Sequence, residues 1–262
     1  MDELERLANL TSYITPSRYV SGRIVEYDIK SANITMLKKY NAISDDYYNF
    51  LSKLPKIDRE IEIGLLIRSD KRYFNIIEDG IKAAKYILLK SNNIDPSFIV
   101  RIANDAVYIN SLNDLQYTKF DEVLFAKKSI YNSAMKLNNI LILFSYIGDN
   151  LDITIKGIKL ENQKLHENYM MTFIANIIYL IERVSPIDAL ESINSFYSDY
   201  INLLLPIEYY REFNSESLYR CKYSNFYLSE AISIDKVDIN YNLFILRELW
   251  SIVLELCNLR KQ

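Results

Sequence analysis

The sequence predicts an α+β fold: a mainly antiparallel sheet carrying helices on one face over residues 1–157, then a mostly helical region over 158–262. Three observations predict it. A β-rich run at 22–29 alternates its side chains between two faces, and further β-rich runs stand at 99–110, around an Asn-Asp turn, and at 151–156. After Gly157 that period of two gives way to apolar residues at helical spacing. The 262 residues are 50% hydrophobic and 25% charged, which is ample core material for one large domain or two small ones.

The chain opens on an acidic, helical stretch, Asp2-Glu3-Leu4-Glu5-Arg6-Leu7, followed by a loop at Thr15-Pro16-Ser17. From Gly22 a strand sets Ile24, Glu26 and Asp28 on one face and Val25, Tyr27 and Ile29 on the other. It ends at Asp28, and Ser31 stands at the N-cap of a helix over 32–40. Ser44-Asp45-Asp46 opens a second helix, which Pro55 stops. Residues 57–92 read as helix broken near Asp79-Gly80, with Ile61, Leu65, Ile76, Ile81, Ala84 and Leu88 as one apolar stripe. After the loop marked by Asn92-Asn93 and Pro96, two β-rich runs flank Asn104-Asp105, a hairpin whose turn presents a carboxylate. Strands are expected at 123–126, 140–145 and 151–156, the last two joined by the turn Ile147-Gly148-Asp149-Asn150. Helices are expected over 161–184, 187–205 and 241–259, with a mixed, tyrosine-rich stretch at 207–238 between the last two.

Several function classes drop out. A net charge of −3 argues against coating nucleic acid by charge alone, though not against a local basic groove. The five glycines are too scattered for a phosphate-cradling loop. Cys221 and Cys257 form no metal-spaced pair or disulfide framework, which points to a reducing compartment. A single histidine, His166, excludes a multi-histidine metal site and is read as a packing or surface residue. With no signal peptide and with apolar runs as short as 140–144, no membrane role and a cytoplasmic location are expected.

What remains is a pair of carboxylates. Asp28 ends one strand and Asp105 sits in a hairpin turn; if the two strands are neighbours, both carboxylates meet at one rim of the sheet. Mg²⁺ is held by one or two carboxylates plus substrate phosphates, and two such ions can clamp the attacking and leaving oxygens of a phosphoryl transfer. An ordinary Asx turn with solvated carboxylates is the alternative reading of the same residues.

These residues resemble the palm of B-family DNA polymerases. Tyr27-Asp28-Ile29-Lys30-Ser31 is similar to the family's first palm motif, D-x-x-S-L-Y-P, and Ala103-Asn104-Asp105-Ala106-Val107-Tyr108 to its third, D-T-D-S-V-F. Residues 76–92 resemble the helix before the third motif. Lys127-Lys128-Ser129-Ile130-Tyr131 resembles the lysine-and-tyrosine element that touches the primer-template, and 151–158 the L-x-x-K-G segment, with Lys156 and Gly157, that leads into the thumb. The resemblance spans roughly 20–175. It departs from the family at Ala32-Asn33-Ile34, where Leu-Tyr-Pro is expected, and at Ala103, where the first Asp of the third motif is expected. The fingers motif has no clean match; Arg59, Arg68, Lys71, Arg72 and Tyr73 are the local substitutes, or else a solvated helix face.

The resemblance implies a polymerase-like palm over 1–157 with a reduced helical fingers insertion at about 41–92, and a thumb-like region over 158–262. It implies a nucleotidyltransferase that transfers nucleotides to a 3′ or protein hydroxyl. Asp28 and Asp105 would hold Mg²⁺ or Mn²⁺, and Ser31, Lys71, Arg72, Lys127, Lys128, Tyr131, Lys156 and Gly157 would contact nucleotides or nucleic acid. The loss at Ala103 and the acidic net charge favour a second reading, a catalytically silent palm descendant binding nucleic acid or protein partners in phage replication or virion assembly. The bias toward Asn, Ile, Lys and Tyr points to an AT-rich genome and, with the reduced design, to a phage or mobile element acting in the host cytoplasm.

Overall fold

The computed structural model describes residues 2–137, 140–148, 150–156, 169–202, 204–205 and 243–259. The fold is α+β, with antiparallel strand pairing and C-terminal helices. The chain forms two compact units, residues 1–16 with 20–132, and 17–19 with 133–262. The division falls inside a strand, where the sequence expectation set the boundary at 157. The reason is packing: the two strands after 139 bury Ile140, Ile142, Phe144 and Ile155 in the same core as the C-terminal helices.

In the first unit, α1 (Glu3–Ala8) is capped by Asp2, whose carboxylate accepts the Glu5 amide at 2.7 Å. Then come β1 (Tyr13–Ile14), β2 (Tyr19–Ile29), α2 (Ala32–Lys39), α3 (Asp45–Lys53), α4 (Lys56–Ser69), α5 (Arg72–Ser91), β3 (Ile99–Ile102), β4 (Ala106–Asn110), β5 (Lys119–Phe120) and β6 (Val123–Leu137). β6 far outruns the four residues expected of it, since Lys127-Lys128-Ser129 hides the alternation that continues to 137. The strand order is β1-β3-β4-β2-β6. Val25, Tyr27 and Ile29 of β2 share a core with Met36 and Leu37 of α2 and with Ile77, Ile81, Ala84 and Leu88 of α5. The helices thus cover the sheet face expected of them.

Two helix readings need correction. The break in 57–92 lies at Asp70-Lys71, not at Asp79-Gly80. Asp70 makes it: its carboxylate accepts the Arg72 amide at 2.9 Å, a local turn that opens α5. Gly80 stays helical and marks a close crossing instead. A Cβ there would lie 2.8 Å from both Met36 Sδ and Tyr40 Cε2. Because α4 and α5 are separate helices, the single stripe divides: Ile81, Ala84 and Leu88 are buried, whereas Ile61 and Leu65 are 56% and 52% exposed.

In the second unit the end of β6 pairs with β7 (Ile140–Ile147), and β7 pairs antiparallel with β8 (Asn150–Lys156) around a turn where Gly148 has φ +65°. Helices α6 (Tyr169–Tyr179, running on as a π turn to Val184), α7 (Pro186–Ile201) and α8 (Leu243–Leu259) complete its core. Ser185 caps α7 with Pro186 in its first turn. Glu182 accepts from the hydroxyls of Tyr19 at 2.8 Å and Tyr146 at 2.6 Å. His166 and the 207–238 stretch lie outside the described residues. Among the described residues no helix is long and apolar enough to cross a membrane.

Candidate functional site

β2 and β4 are antiparallel neighbours, with Asp28 directly opposite Ala106. Asn104-Asp105 forms the turn between β3 and β4, closed by the Ala103 amide on the Ala106 carbonyl at 2.9 Å. The Ile29 amide donates to the Asp105 carbonyl at 3.0 Å, which ties the turn to the end of β2. From below, the buried Lys85 ammonium of α5 donates to the carbonyls of Ala103 at 3.3 Å and Leu10 at 2.8 Å. Backbone pairing and one buried cation therefore hold both aspartates at the same rim.

They line one cleft of about 360 Å³, together with Lys30, Ser31, Asn33, Lys56, Arg59, Glu60, Lys127 and Lys128. Burial, and then the neighbouring Asp28 carboxylate, push the Asp105 carboxyl above its ordinary value. Lys128 answers that charge. Its Nζ lies 2.9 Å from Asp28 Oδ2 and 3.8 Å from Glu26 Oε1. The hydrogen bond to Asp28 raises the Lys128 ammonium above its usual range. Glu26 shares the Asp28 face of β2 but is buried, accepting from Tyr108 Oη at 2.7 Å and Tyr131 Oη at 3.0 Å.

Of the residues expected to contact substrate, Ser31, Lys127 and Lys128 line this cleft. Ser31 holds a left-handed backbone (φ 51°) at the start of α2, and its side chain makes no capping bond. Lys127 is already paired with Asp114 at 2.6 Å, and Arg23 joins the same carboxylate. Tyr131 is 4% exposed and committed to Glu26, so it offers no open surface. Lys71 and Arg72 begin α5 away from the cleft lining, and Arg72 folds onto Asp70 at 2.6 Å. Lys156 is half-buried on β8 of the other unit, and Gly157 lies outside the described residues.

The sequence reading passed over Lys30, Asn33, Lys56 and Glu60, and it also missed Glu26. It named Arg59 only as one of several basic helix residues. The signal was present: Lys56 and Arg59 stand three apart in the first turn of α4, one helical face, just as Lys30 and Asn33 bracket Ser31. Among the described residues none of Lys30, Lys56 and Arg59 forms an ion pair; all three line the cleft, and the charge of Lys56 reaches Asp105 and works against its upward shift. The same residues gather no cluster of three or more His, Cys, Asp and Glu that could cage a metal without help.

A protein-family model described as the bacteriophage PBS1 gene 130 protein matches residues 10–257. No curated protein matches the chain.

Proposed function

The chain belongs to the bacteriophage PBS1 gene 130 protein family, and for this phage protein we propose a metal-dependent nucleotidyl transfer at the Asp28–Asp105 cleft. One observation carries the reading: two carboxylates at the ends of paired strands share a cleft with three cations that no ion pair occupies. That donor set suits a hard divalent cation. Mg²⁺ or Mn²⁺ takes one or two carboxylates and completes its shell with substrate phosphates, so a full protein cage is not required. Asp28 and Asp105 would hold the ion, whose chemistry there is to neutralise charge on the transferring phosphoryl group.

The chain's own residues do the rest. Lys30, Lys56 and Arg59 bind the oxygens of a nucleoside triphosphate and orient its α-phosphate toward the carboxylate rim. A 3′ hydroxyl, or a protein hydroxyl, gives up its proton to solvent and forms the new P–O bond at the α-phosphate; the bond to the β-phosphate breaks, and pyrophosphate leaves with the electron pair. The cations around the triphosphate offset the charge on that leaving group. The palm-and-thumb resemblance of the motifs supports this reaction class, with nucleic acid as partner in the host cytoplasm.

The test is incorporation of labelled nucleotides onto primed, unprimed and protein-primed substrates with Mg²⁺ or Mn²⁺. Activity in wild type, absent in Asp105→Asn and weakened in Arg59→Ala, is the expected result. Ala103, standing where the family resemblance calls for Asp, favours a silent descendant that binds nucleic acid or a phage protein partner. That reading replaces the first if wild type incorporates nothing on any substrate and divalent metal leaves its Tm unchanged.

A further inference from the structure

Lys128 stands on β6 with its side chain 56% exposed, yet its ammonium is drawn inward to the 25%-exposed Asp28 and the 3%-exposed Glu26. Its neighbour Lys127 is pinned to Asp114 instead, since adjacent residues on a strand point to opposite sides. Lys128 therefore occupies, with a flexible four-carbon stem, a carboxylate oxygen that a divalent cation would need. We infer that Lys128 is the site's own counter-cation: it holds Asp28 until metal arrives, competes with metal for it, and is then retained beside the cleft by Glu26. This rests on the nucleotidyl-transfer reading and adds its regulation.

Three features support the inference. Two half-buried carboxylates without a cation would repel, and Lys128 sets its Nζ 2.9 Å from Asp28, with its charge also felt by Asp105. Glu26 is fixed by two tyrosine hydroxyls, so it cannot turn to follow a metal, but it gives the displaced ammonium a second anchor. Released from Asp28, Lys128 joins Lys30, Lys56 and Arg59 on the wall of the same cleft, where a polyphosphate would draw it further from the carboxylates. Metal and polyphosphate would then load cooperatively, each removing a cost that Lys128 imposes on the other. Lys128 acts through Asp28 and is a positioning residue.

The experiment is Mn²⁺ binding by isothermal titration to the full chain, as wild type, Lys128→Gln, Lys128→Arg and Asp105→Asn. Removing one positive charge beside a divalent ion should tighten Mn²⁺ by roughly tenfold in Lys128→Gln, while Lys128→Arg stays close to wild type. Lys128→Met, charge-free with a similar stem, serves if the glutamine variant fails to fold. A role confined to structure would lower Tm but leave the Mn²⁺ Kd where it was. Binding that disappears in Asp105→Asn but is unchanged or weaker in the charge-free Lys128 variants overturns the inference and leaves the transfer reading standing. Binding in none of the proteins, Lys128 variants included, overturns the inference, and the transfer reading falls with it where nucleotide incorporation is absent as well.

Discussion

Lys85 tests how the fold holds the Asp105 turn. Its ammonium is 1% exposed and bonded to the carbonyls of Leu10 and Ala103. Burial pulls its pKa down to about 8, with the nearby Lys82 adding to the effect. The folded value lies below the unfolded one, so between them the unfolded chain binds more protons, and stability rises with pH across that window. For a folded value of about 8 against 10.5, the gain between pH 7.5 and 9.5 works out at about 2 kcal/mol. Tyr27 and Tyr108, raised by burial, act in the opposite sense and only from their unfolded value of 10.0 upward, so work below pH 9.5 isolates Lys85. Lys85→Met keeps the stem and removes the titration. Urea unfolding followed by circular dichroism at pH 7.5, 8.5 and 9.5 should show the wild type gaining on the variant by that amount. A constant difference across the three pH values would refute the argument that Lys85 is charged and strained by burial.

Other expectations concern both units. Asp105 is raised by burial and by Asp28, so its stabilising effect is present below the unfolded value of 3.8 and lost as pH rises through the folded value; Asp105→Asn should raise the metal-free Tm at pH 7 and leave it unchanged at pH 3. Gly80→Ala gains about 1 kcal/mol of helix propensity but sets a methyl against Met36 and Tyr40, an overpacking worth about 1–3 kcal/mol; a lower urea midpoint is expected, and a higher one would mean the α2–α5 crossing yields freely. Burial and Glu182 hold the Tyr146 phenol up at about 12, so a spectrophotometric titration should lose one late-titrating tyrosine in Tyr146→Phe, with about 1.5–3 kcal/mol of stability lost along with the charged hydrogen bond.

The parts of the fold that were legible in the sequence are those fixed by local rules. Ser44 does cap α3, its hydroxyl accepting the Tyr47 amide at 3.2 Å. Asn104-Asp105 does turn a hairpin, and Gly148 takes the left-handed conformation that its turn requires. The failures are those where tertiary contact sets the role. Gly80 looks like a helix breaker in one dimension, whereas in three it is the place where α2 passes close. β6 looks short because a lysine pair interrupts its hydrophobicity, yet the strand continues because Lys127 has Asp114 and Lys128 has Asp28 to meet. The expected boundary at 157 followed the change of period, but a change of period marks secondary structure and not which core a strand joins.

The candidate site divides along the same line. Asp28 and Asp105 could be found because each ends or turns a strand, and strand ends are where an antiparallel pair brings distant residues together. Glu26 could not be separated from any other half-buried strand position, because its character comes from Tyr108, 82 residues away, and Tyr131, 105 residues away. Lys71 and Arg72, expected to contact substrate, stand at the start of α5; the turn at Asp70 separates them from Lys56 and Arg59 of α4, which line the cleft. Charge balance explains why that matters. The cleft lining carries Asp28, Glu60 and Asp105 beside Lys30, Lys56, Arg59 and Lys128, with Lys127 held by Asp114, so a protein of net charge −3 gathers several cations around a pair of acids. A site for free cations would be acidic throughout, and a site for free anions would have no use for the aspartates. Both signs in one cleft suit a ligand that arrives as a metal–polyphosphate pair.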